Sequence, residues 1–462
     1  MTTTSYKRVF ALAIPASLAA LVTPLLGLVD SAVLGLSPRP LDIGAVGLAG
    51  SIYSLLYWTF GFLRMSAAGL TAQAHGADDK QLIRRILGQS VIFGFAVGLA
   101  LVALQAPIGE ALFWVFTRDS DLSLETEAAA RSYFFIRIWS APFAIATFGL
   151  FGWMTARGAT GLLLAVTAGM TALNAGLDAL FVLKFGWGAA GVAVGTVIAE
   201  VLGFVAALGG VAYILQKEGS IRNFWPDLSE FLRPTAYRAL IAVNGDIFLR
   251  SMLLSIAFAY FVQRGSLFGD VTLAANQVLM QLVLVTGLAL DGAAIAAETL
   301  VGQAIGQKEK QKRLALYRMA VRRTSIVAGA GALGFTLLFW LAGPPLVTLI
   351  ARDPAISARA LDFMPWAIIS PLIVVTCFQL DGIFIGATKF RAMRNSMFLS
   401  ALVFAITSVS FIHLWGNHGL WLSFWLFMLA RAVTLGVQLP NIEHFPKSGN
   451  RFSDKKCSKT KT

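Results

Sequence analysis

The carboxylates that stand inside apolar runs are the residues of this chain best suited to chemistry. Asp30 follows the run PLLGLV, and no basic residue lies within helical reach of it along the same segment. A carboxylate removed from water favours its protonated form, so this group can exchange a proton near physiological pH. It can also pair with a cationic substrate. The structural alternative is a hydrogen bond that fixes helix packing.

Other polar side chains recur at helical spacing. Asn174 and Asp178 are four residues apart, as are Thr196 and Glu200, so each pair shares one helix face. We expect these groups to converge with Asp30 in one polar pocket of the first half of the chain. Interhelical hydrogen bonding is the alternative, above all for Asn174, Thr196 and Glu200.

The second half also carries charges within apolar segments. Asp246 and Arg250 are four residues apart with the acid first, which is the favoured order for a helical ion pair. The pair is either a coupling element or a structural ion pair. Asp381 lies in another apolar segment, and Arg64 in the first half is placed to partner a carboxylate. The other acids in such segments are Asp291 and Glu298.

Membrane-spanning helices must position these groups. The chain is 57% hydrophobic and 13% charged, with a mean hydropathy of +0.73, which is too little charge to coat a soluble protein. A span needs about 20 apolar residues. We therefore predict an all-α integral membrane protein with twelve transmembrane helices. They lie near residues 9–36, 43–73, 86–108, 131–154, 161–184, 188–215, 238–263, 271–303, 315–342, 362–388, 395–415 and 419–440.

The distribution of basic residues predicts the orientation. Lys and Arg concentrate in alternate loops, so both termini should be cytoplasmic in a multi-pass protein of the bacterial inner membrane. The net charge of +13 lies in these loops and the tail, which argues against nucleic-acid binding. The segment 9–36 is too long for a signal peptide and is interpreted as the first span. The loop residues concerned include Lys80, Arg84, Arg85, Arg157, Lys308, Lys310, Lys312, Lys389, Arg391 and Arg394.

An internal repeat divides the chain into two halves. The motif GAT occurs at 158–160 and 386–388, where 386 − 158 = 228, and QAxG occurs at 73–76 and 303–306, where 303 − 73 = 230. WGxxG likewise recurs from Trp187 to Trp415. Six spans per repeat predict two six-helix lobes related by a pseudo-twofold axis along the membrane normal. The predicted domains are 1–215 (first lobe), 216–238 (cytoplasmic linker), 239–443 (second lobe) and 444–462 (basic cytoplasmic tail).

Several longer stretches resemble one transporter family. They are PLLGLVDSAVLG, FLRMSAAGLTAQAHG, NAGLDALFVL, GVAVGTVIAE, NGDIFLRS, LDGIFIGATKFRAMRNSM and WGNHGLWL, and they extend from near residue 8 to near residue 435. The chain is identified by them as similar to the MATE family, within its DinF (DNA-damage-inducible) branch. The resemblance implies two lobes around a central cavity that export organic cations or amphiphilic drugs in exchange for protons or sodium.

The resemblance also implies roles for individual residues. The first-span aspartate of the family, matched by Asp30, is its main proton or cation site. The partners in the first lobe match Asn174, Asp178 and Thr196. Other branches carry acids in the seventh and tenth spans, where Asp246 and Asp381 lie. This sequence departs from its branch at Gly245, where relatives often carry an arginine.

The remaining expectations concern partners and alternatives. We expect a monomer in lipid that binds a small amphiphilic or cationic substrate, with a coupling ion (proton or sodium), no cofactor and no metal site. An enzyme is not expected, because no histidine stands beside a nucleophile or acid in a recognisable motif. A lipid-linked precursor flippase of the same superfamily is the alternative function. It would require a basic cavity, and only Arg64 and Arg250 are clear deep basic residues by sequence.

Overall fold

The computed structural model describes residues 5–36, 41–117, 123–219 and 234–443, and every regular element in these residues is helical. The predicted tail at 444–462 and most of the predicted linker at 216–238 lie outside the described residues. The helices are α1 Tyr6–Gly35, α2 Leu41–Trp58, α3 Phe62–Gly76, α4 Lys80–Ala103, α5 Gln105–Thr117, α6 Leu124–Arg137, α7 Ala141–Ala156, α8 Thr160–Asp178, α9 Gly188–Lys217, α10 Pro234–Gly265, α11 Asp270–Ile305, α12 Lys310–Ile350, α13 Pro354–Gly386, α14 Phe390–Gly436 and α15 Leu439–Glu443.

These helices make twelve passes. Eleven helical segments of the described chain are long and apolar enough to cross a membrane. One of them, α14, is two spans joined at Gly416, where φ is 55° and ψ is −130°. Glycine adopts this positive φ without the steric cost that a side chain would bring. Counting α14 twice gives twelve spans, as predicted. The second span consists of α2 and α3, and the fourth of α6 and α7.

Polar caps fix where several of the helices begin. The Ser5 hydroxyl accepts from the backbone N–H of Arg8, and Asp79 accepts from that of Leu82. Ser123 caps α6 in the same way. Each cap satisfies a backbone donor that the first helical turn leaves free. Short polar residues between apolar segments therefore define the ends of the spans.

Irregular turns interrupt the spans of the first lobe. A 3₁₀ turn at Thr59–Gly61 separates α2 from α3, and another at Ile138–Ser140 separates α6 from α7. A π-helical turn at Ala179–Lys184 follows α8 directly. Such turns re-aim side chains within a span and are frequent at functional sites.

The two lobes meet at the end of the bundle that carries the turns 77–79, 157–159, 306–309 and 387–389, here called the basic face. The QAxG repeats face each other there. A Cβ on Gly76 would lie 2.0 Å from the Gln303 carbonyl oxygen, and a Cβ on Gly306 would lie 2.0 Å from that of Gln73. This reciprocity is what a twofold axis passing between the repeats produces. Only glycine permits backbones to approach so closely.

Side chains of the same repeats bond across the lobe boundary. The Gln73 amide donates to the Gly386 carbonyl at 2.9 Å, and the Gln303 amide donates to the Ala156 carbonyl at 2.8 Å. The Thr299 hydroxyl adds a bond of 2.9 Å to the Thr155 carbonyl. The motifs that revealed the duplication therefore form the closure of the basic face.

Candidate coupling site in the first lobe

The four residues predicted to form the coupling site lie together. Asp30 comes from α1, Asn174 and Asp178 from α8, and Thr196 from α9. Asp30 is 3% exposed, and the other three are 0% exposed. The predicted convergence of these groups is therefore what the structure shows.

Asn174 connects the cluster. With its amide nitrogen facing the carboxyls, it donates to Asp30 Oδ1 at 3.1 Å and to Asp178 Oδ2 at 3.2 Å, while its oxygen accepts from Thr196 Oγ1 at 3.1 Å. This orientation satisfies both ends of the amide, because carboxylate oxygens accept hydrogen bonds. The amide thus holds the two acids side by side without neutralising them.

The two acids also contact each other. The carboxyl groups of Asp30 and Asp178 are within hydrogen-bonding reach. A protonated carboxyl donates a hydrogen bond and an ionised one accepts it, so two carboxyls in contact can share one proton. The cluster therefore has the chemistry of a proton site in which either acid can accept the shared proton.

A small residue and an irregular turn make room for Asp178. A Cβ on Gly195 would lie 2.5 Å from Asp178 Oδ1, so only glycine lets α9 pass this close to the carboxyl. Asp178 is also the last α-helical residue before the π-helical turn Ala179–Lys184. Sequence reasoning did not find Gly195. Its position one residue before Thr196 was the available signal.

A buried cation stands beside the acids but is bonded elsewhere. Arg137 Nη1 donates to the Tyr133 hydroxyl at 2.7 Å, and its guanidinium lies 4.2 Å from the centre of the Tyr53 ring. Its ion pair is with Glu200 at 3.5 Å. Glu200, predicted to join the pocket, therefore serves as the counterion of Arg137. The arginine acts on Asp30 through the electrostatic field rather than through a direct bond.

Two aromatic rings stand beside this arginine. Tyr53 and Tyr57 stack with their ring centres 5.4 Å apart, next to Arg137. Both rings thereby border the polar cluster. They come from α2, immediately before the 3₁₀ turn that ends it.

The charges of the second lobe are arranged differently from the prediction. Arg250 does not pair with Asp246 one turn before it. Its Nη1 donates to Asp381 Oδ2 at 2.9 Å, and Arg431 Nη2 bonds to the same oxygen. The ion pairs form between side chains on α10, α13 and α14. Helix packing brings Asp381 closer to Arg250 than Asp246, which lies one turn before it on α10. Arg431 was not among the predicted residues.

Asp246 lies at the basic face instead. It accepts from Arg394 Nη1 at 2.6 Å and pairs with Arg391 at 3.8 Å. Both arginines belong to the first turns of α14, which follow a basic turn. The i,i+4 ion pair predicted for Asp246 and Arg250 is therefore wrong: each charge finds its partner on another helix.

The prediction that Arg64 partners a carboxylate agrees with the structure. Its Nη1 lies 3.7 Å from Glu298 Oε2, and this ion pair joins α3 of the first lobe to α11 of the second. Asp291, one to two turns earlier on α11, is within electrostatic range of the same arginine. Arg64 thus belongs to the lobe boundary rather than to the first-lobe cluster.

The count of deep basic residues needs correction. Sequence reasoning identified only Arg64 and Arg250 as clearly deep, but the side chains of Arg137 and Arg431 are 12% and 2% exposed. Arg137 ends the polar-looking segment LETEAAARSYFFIR, and Arg431 follows the apolar run WLFMLA. The first segment therefore does not indicate that Arg137 is buried, whereas the apolar run before Arg431 does indicate burial.

Comparisons with known proteins agree with this architecture. The family model MatE matches residues 15–180 and 247–411, which are corresponding parts of the two lobes. The chain is 36% identical over 438 residues to DNA damage-inducible protein F of Escherichia coli K12, covering 94% of this chain and 92% of that protein. It is 26% identical to a probable multidrug resistance protein NorM of Thermotoga maritima, covering 76% of this chain and 73% of that protein.

Among solved structures, the fold is similar to that of the Vibrio cholerae MATE transporter VcmN in its bent form. The TM-score is 0.81 at 18% identity, and the match covers 95% of this chain and 97% of that chain. This likeness supports the fold of twelve helices in two lobes. Together with the family model and the relative that spans nearly the whole chain, it establishes that the protein belongs to the MATE family of multidrug and toxic-compound efflux transporters, in its DinF branch.

Proposed function

We propose that this transporter is a proton-coupled antiporter in which Asp30 and Asp178 carry the coupling proton. The observation that supports this role most directly is the contact between the two buried carboxyls, which are bridged by Asn174 and bonded to no cation among the described residues. Groups arranged in this way change their charge by one unit when a proton enters. Thr196 fixes the bridging amide.

The exchange follows from competition for one site. A cationic or amphiphilic small molecule is attracted to the cluster while its carboxyls carry negative charge. Entry of a proton lowers that charge and weakens the attraction, so the substrate leaves as the proton binds. The same acids thereby couple the two fluxes, because binding of the proton and binding of the substrate weaken each other.

Closure of the basic face supports alternating access. In the proposed orientation, with both termini in the cytoplasm of a bacterial inner-membrane protein, the Gln73 and Gln303 bonds close the cytoplasmic end. Rocking of one lobe against the other about the pseudo-twofold axis would open that end and close the opposite one. Asp30 lies 24 residues beyond Tyr6 in α1, about 36 Å along the helix, so the proposed coupling site is near the far end.

The test is efflux of a cationic dye from energised cells that lack other pumps. Wild type and Asp30→Asn are compared at equal membrane abundance, with and without a protonophore and with sodium removed. We expect efflux by wild type to stop with the protonophore and to persist without sodium. Asp30→Asn should lower efflux to the level of cells without the transporter, because asparagine cannot take up the proton.

Two results would contradict the proposal. Normal efflux by Asp30→Asn would reduce that residue to a packing role and shift attention to Asp178. Efflux that needs sodium and ignores the protonophore would assign the same cluster to a sodium ion. Of the buried arginines described, Arg64 and Arg137 each have an acidic partner, so the flippase alternative would have to rest on Arg250 and Arg431, which share Asp381. Accumulation of cell-wall precursor on depletion of the protein would revive it.

A further inference from the structure

Two arginines share a single carboxylate in the second lobe. Arg250 and Arg431 both bond to Oδ2 of Asp381, and all three side chains are at least 88% buried, with exposures of 5%, 2% and 12%. The nearby thiol of Cys377 donates to the Met428 carbonyl and adds no charge. This triad of α10, α13 and α14 therefore carries one more positive than negative charge.

Among the described residues, no acid other than Asp381 forms an ion pair with either arginine. Glu298 is paired with Arg64, and Asp246 is paired with Arg394 at the basic face. A buried charge without a partner is costly in any protein, and in a membrane span it is a functional candidate by default. A purely structural role would be served at lower cost by one arginine on one carboxylate.

Several polar atoms of the triad are also without partners. Arg431 Nη1, Arg250 Nε and Asp381 Oδ1 are buried and have no hydrogen-bond partner among the described residues. Two of the three are N–H donors, which suits an anion rather than a cation. Guanidinium N–H groups are strong donors to a carboxylate, so the free donors of Arg431 and Arg250 are available to one.

The triad borders the other lobe. Arg250 Nη2 lies 3.7 Å from Met65 Sδ on α3, and the rings of Phe62 and Phe248 meet with centres 6.4 Å apart. Asp381 is five residues before Gly386, whose carbonyl accepts the Gln73 bond of the basic-face closure. Arg250 is thus covered by the first lobe just inside that closure. Parting of the lobes at the basic face would uncover Arg250 first.

We propose that Arg250 and Arg431 form an anion-binding site that takes the carboxylate of an amphiphilic substrate entering from the basic face. Asp381 occupies the same donors as an internal counterion when the lobes are closed. The inference rests on the proposed transport function, since it assigns a substrate class to the cleft of that transporter. It makes the two lobes complementary, with an anion site near the basic face and a proton site near the opposite face.

The test uses two dyes that differ only at the group in question. Rhodamine 19 carries a free carboxylate, and rhodamine 6G is its ethyl ester with the same cationic ring system. Binding of each dye to the purified full-length protein in lipid nanodiscs is followed by fluorescence anisotropy. We expect wild type to bind the acid about ten-fold more tightly than the ester, a difference typical of one charge-assisted bidentate contact.

The variants change this preference in opposite directions. Arg431→Gln should remove it, and Asp381→Asn should increase it, because the internal competitor loses its charge. Arg264→Gln is the matched control, an arginine of α10 that stacks on Tyr260 far from the triad, and should keep it. Arg431→Lys retains the charge without the planar fork, so it provides a second test if the glutamine variant does not fold. It should lose most of the preference.

The outcomes separate the two proposals. Equal affinity of wild type for acid and ester, or a preference that survives both Arg431 variants, would overturn the anion site and leave the triad as a structural cluster with bound water. The proposed function is assessed independently in proteoliposomes through proton-driven transport of the ester and its loss in Asp30→Asn. Ester transport that ignores the proton gradient would overturn the proposed function, whatever the dyes show about Arg431.

Discussion

The two lobes hold buried aspartates in opposite electrostatic settings. In the first lobe, Asp30 and Asp178 contact an amide and each other, and the nearby Arg137 is bonded to Tyr133 and Glu200. In the second lobe, Asp381 accepts from two guanidiniums. The acids of the first lobe thus have a neutral donor as their bonded partner, whereas Asp381 has two cations. The partner of a buried acid decides its chemistry more than its depth does.

The duplication shows which positions of the two lobes correspond. With the offset of 228 that relates the GAT and WGxxG motifs, Asp178 corresponds to position 406 and Thr196 to position 424, which hold Ile406 and Phe424. In the other direction, Asp381 corresponds to Trp153 and Arg431 to Gly203. Trp153 is fully buried in the core of the first lobe. Each lobe packs apolar residues or glycine where the other places charge.

The largest expected effect concerns stability. Asp381→Asn leaves two buried guanidiniums without an anionic partner, so it should lower the free energy of unfolding by about 3 kcal/mol. Asp30→Asn should leave the free energy of unfolding unchanged, because asparagine resembles a protonated aspartate. Thermal unfolding of the purified variants in detergent compares the two. Equal losses of stability in the two variants would contradict the electrostatic difference between the lobes.

A smaller effect is expected from crowding the proton site. Gly195→Ala brings a methyl group against Asp178 Oδ1, and overpacking of this kind costs about 1–3 kcal/mol. We expect proton-coupled efflux to fall roughly ten-fold. Gly209→Ala on the same helix is the control, since a Cβ there meets nothing within 4 Å. Efflux by Gly195→Ala that matches the control would show that the carboxyl need not stay where the structure places it.

The smallest effect is expected at the closure that both lobes share. Gln73→Ala and Gln303→Ala each remove hydrogen bonds across the boundary, worth about 1 kcal/mol apiece. Because the two residues are related by symmetry, each variant should loosen the basic face to a similar extent. A cysteine introduced at Thr155, in a chain with Cys377 and Cys457 replaced by serine, reports the opening through its rate of alkylation. An increase in only one variant would show that the closure is not symmetric.

Patterns along the chain predicted the fold well. Apolar segments separated by short polar turns predict helices and their ends, because a span must satisfy its backbone internally. Repeated motifs predicted the two lobes. One of them, WGxxG, contains Gly416, where the two spans of α14 are joined. The first-lobe cluster was also predictable, since Asn174 and Asp178 share a helix face and Asp30 has no cation on its own span. The linker and tail stay predictions.

Contacts between helices were beyond reach of such patterns. The four-residue spacing predicts an ion pair between Asp246 and Arg250. In the structure, Arg250 pairs with Asp381 on α13, and Asp246 pairs with Arg394 on α14. Arg431 and Gly195 matter only through what lies opposite them. The sequence by itself determined the twelve helices, the duplication and the acids available, because these follow from hydropathy and local spacing. Only the tertiary structure decided which charges are neutralised, because an ion pair forms with whichever group packing brings within a few ångströms.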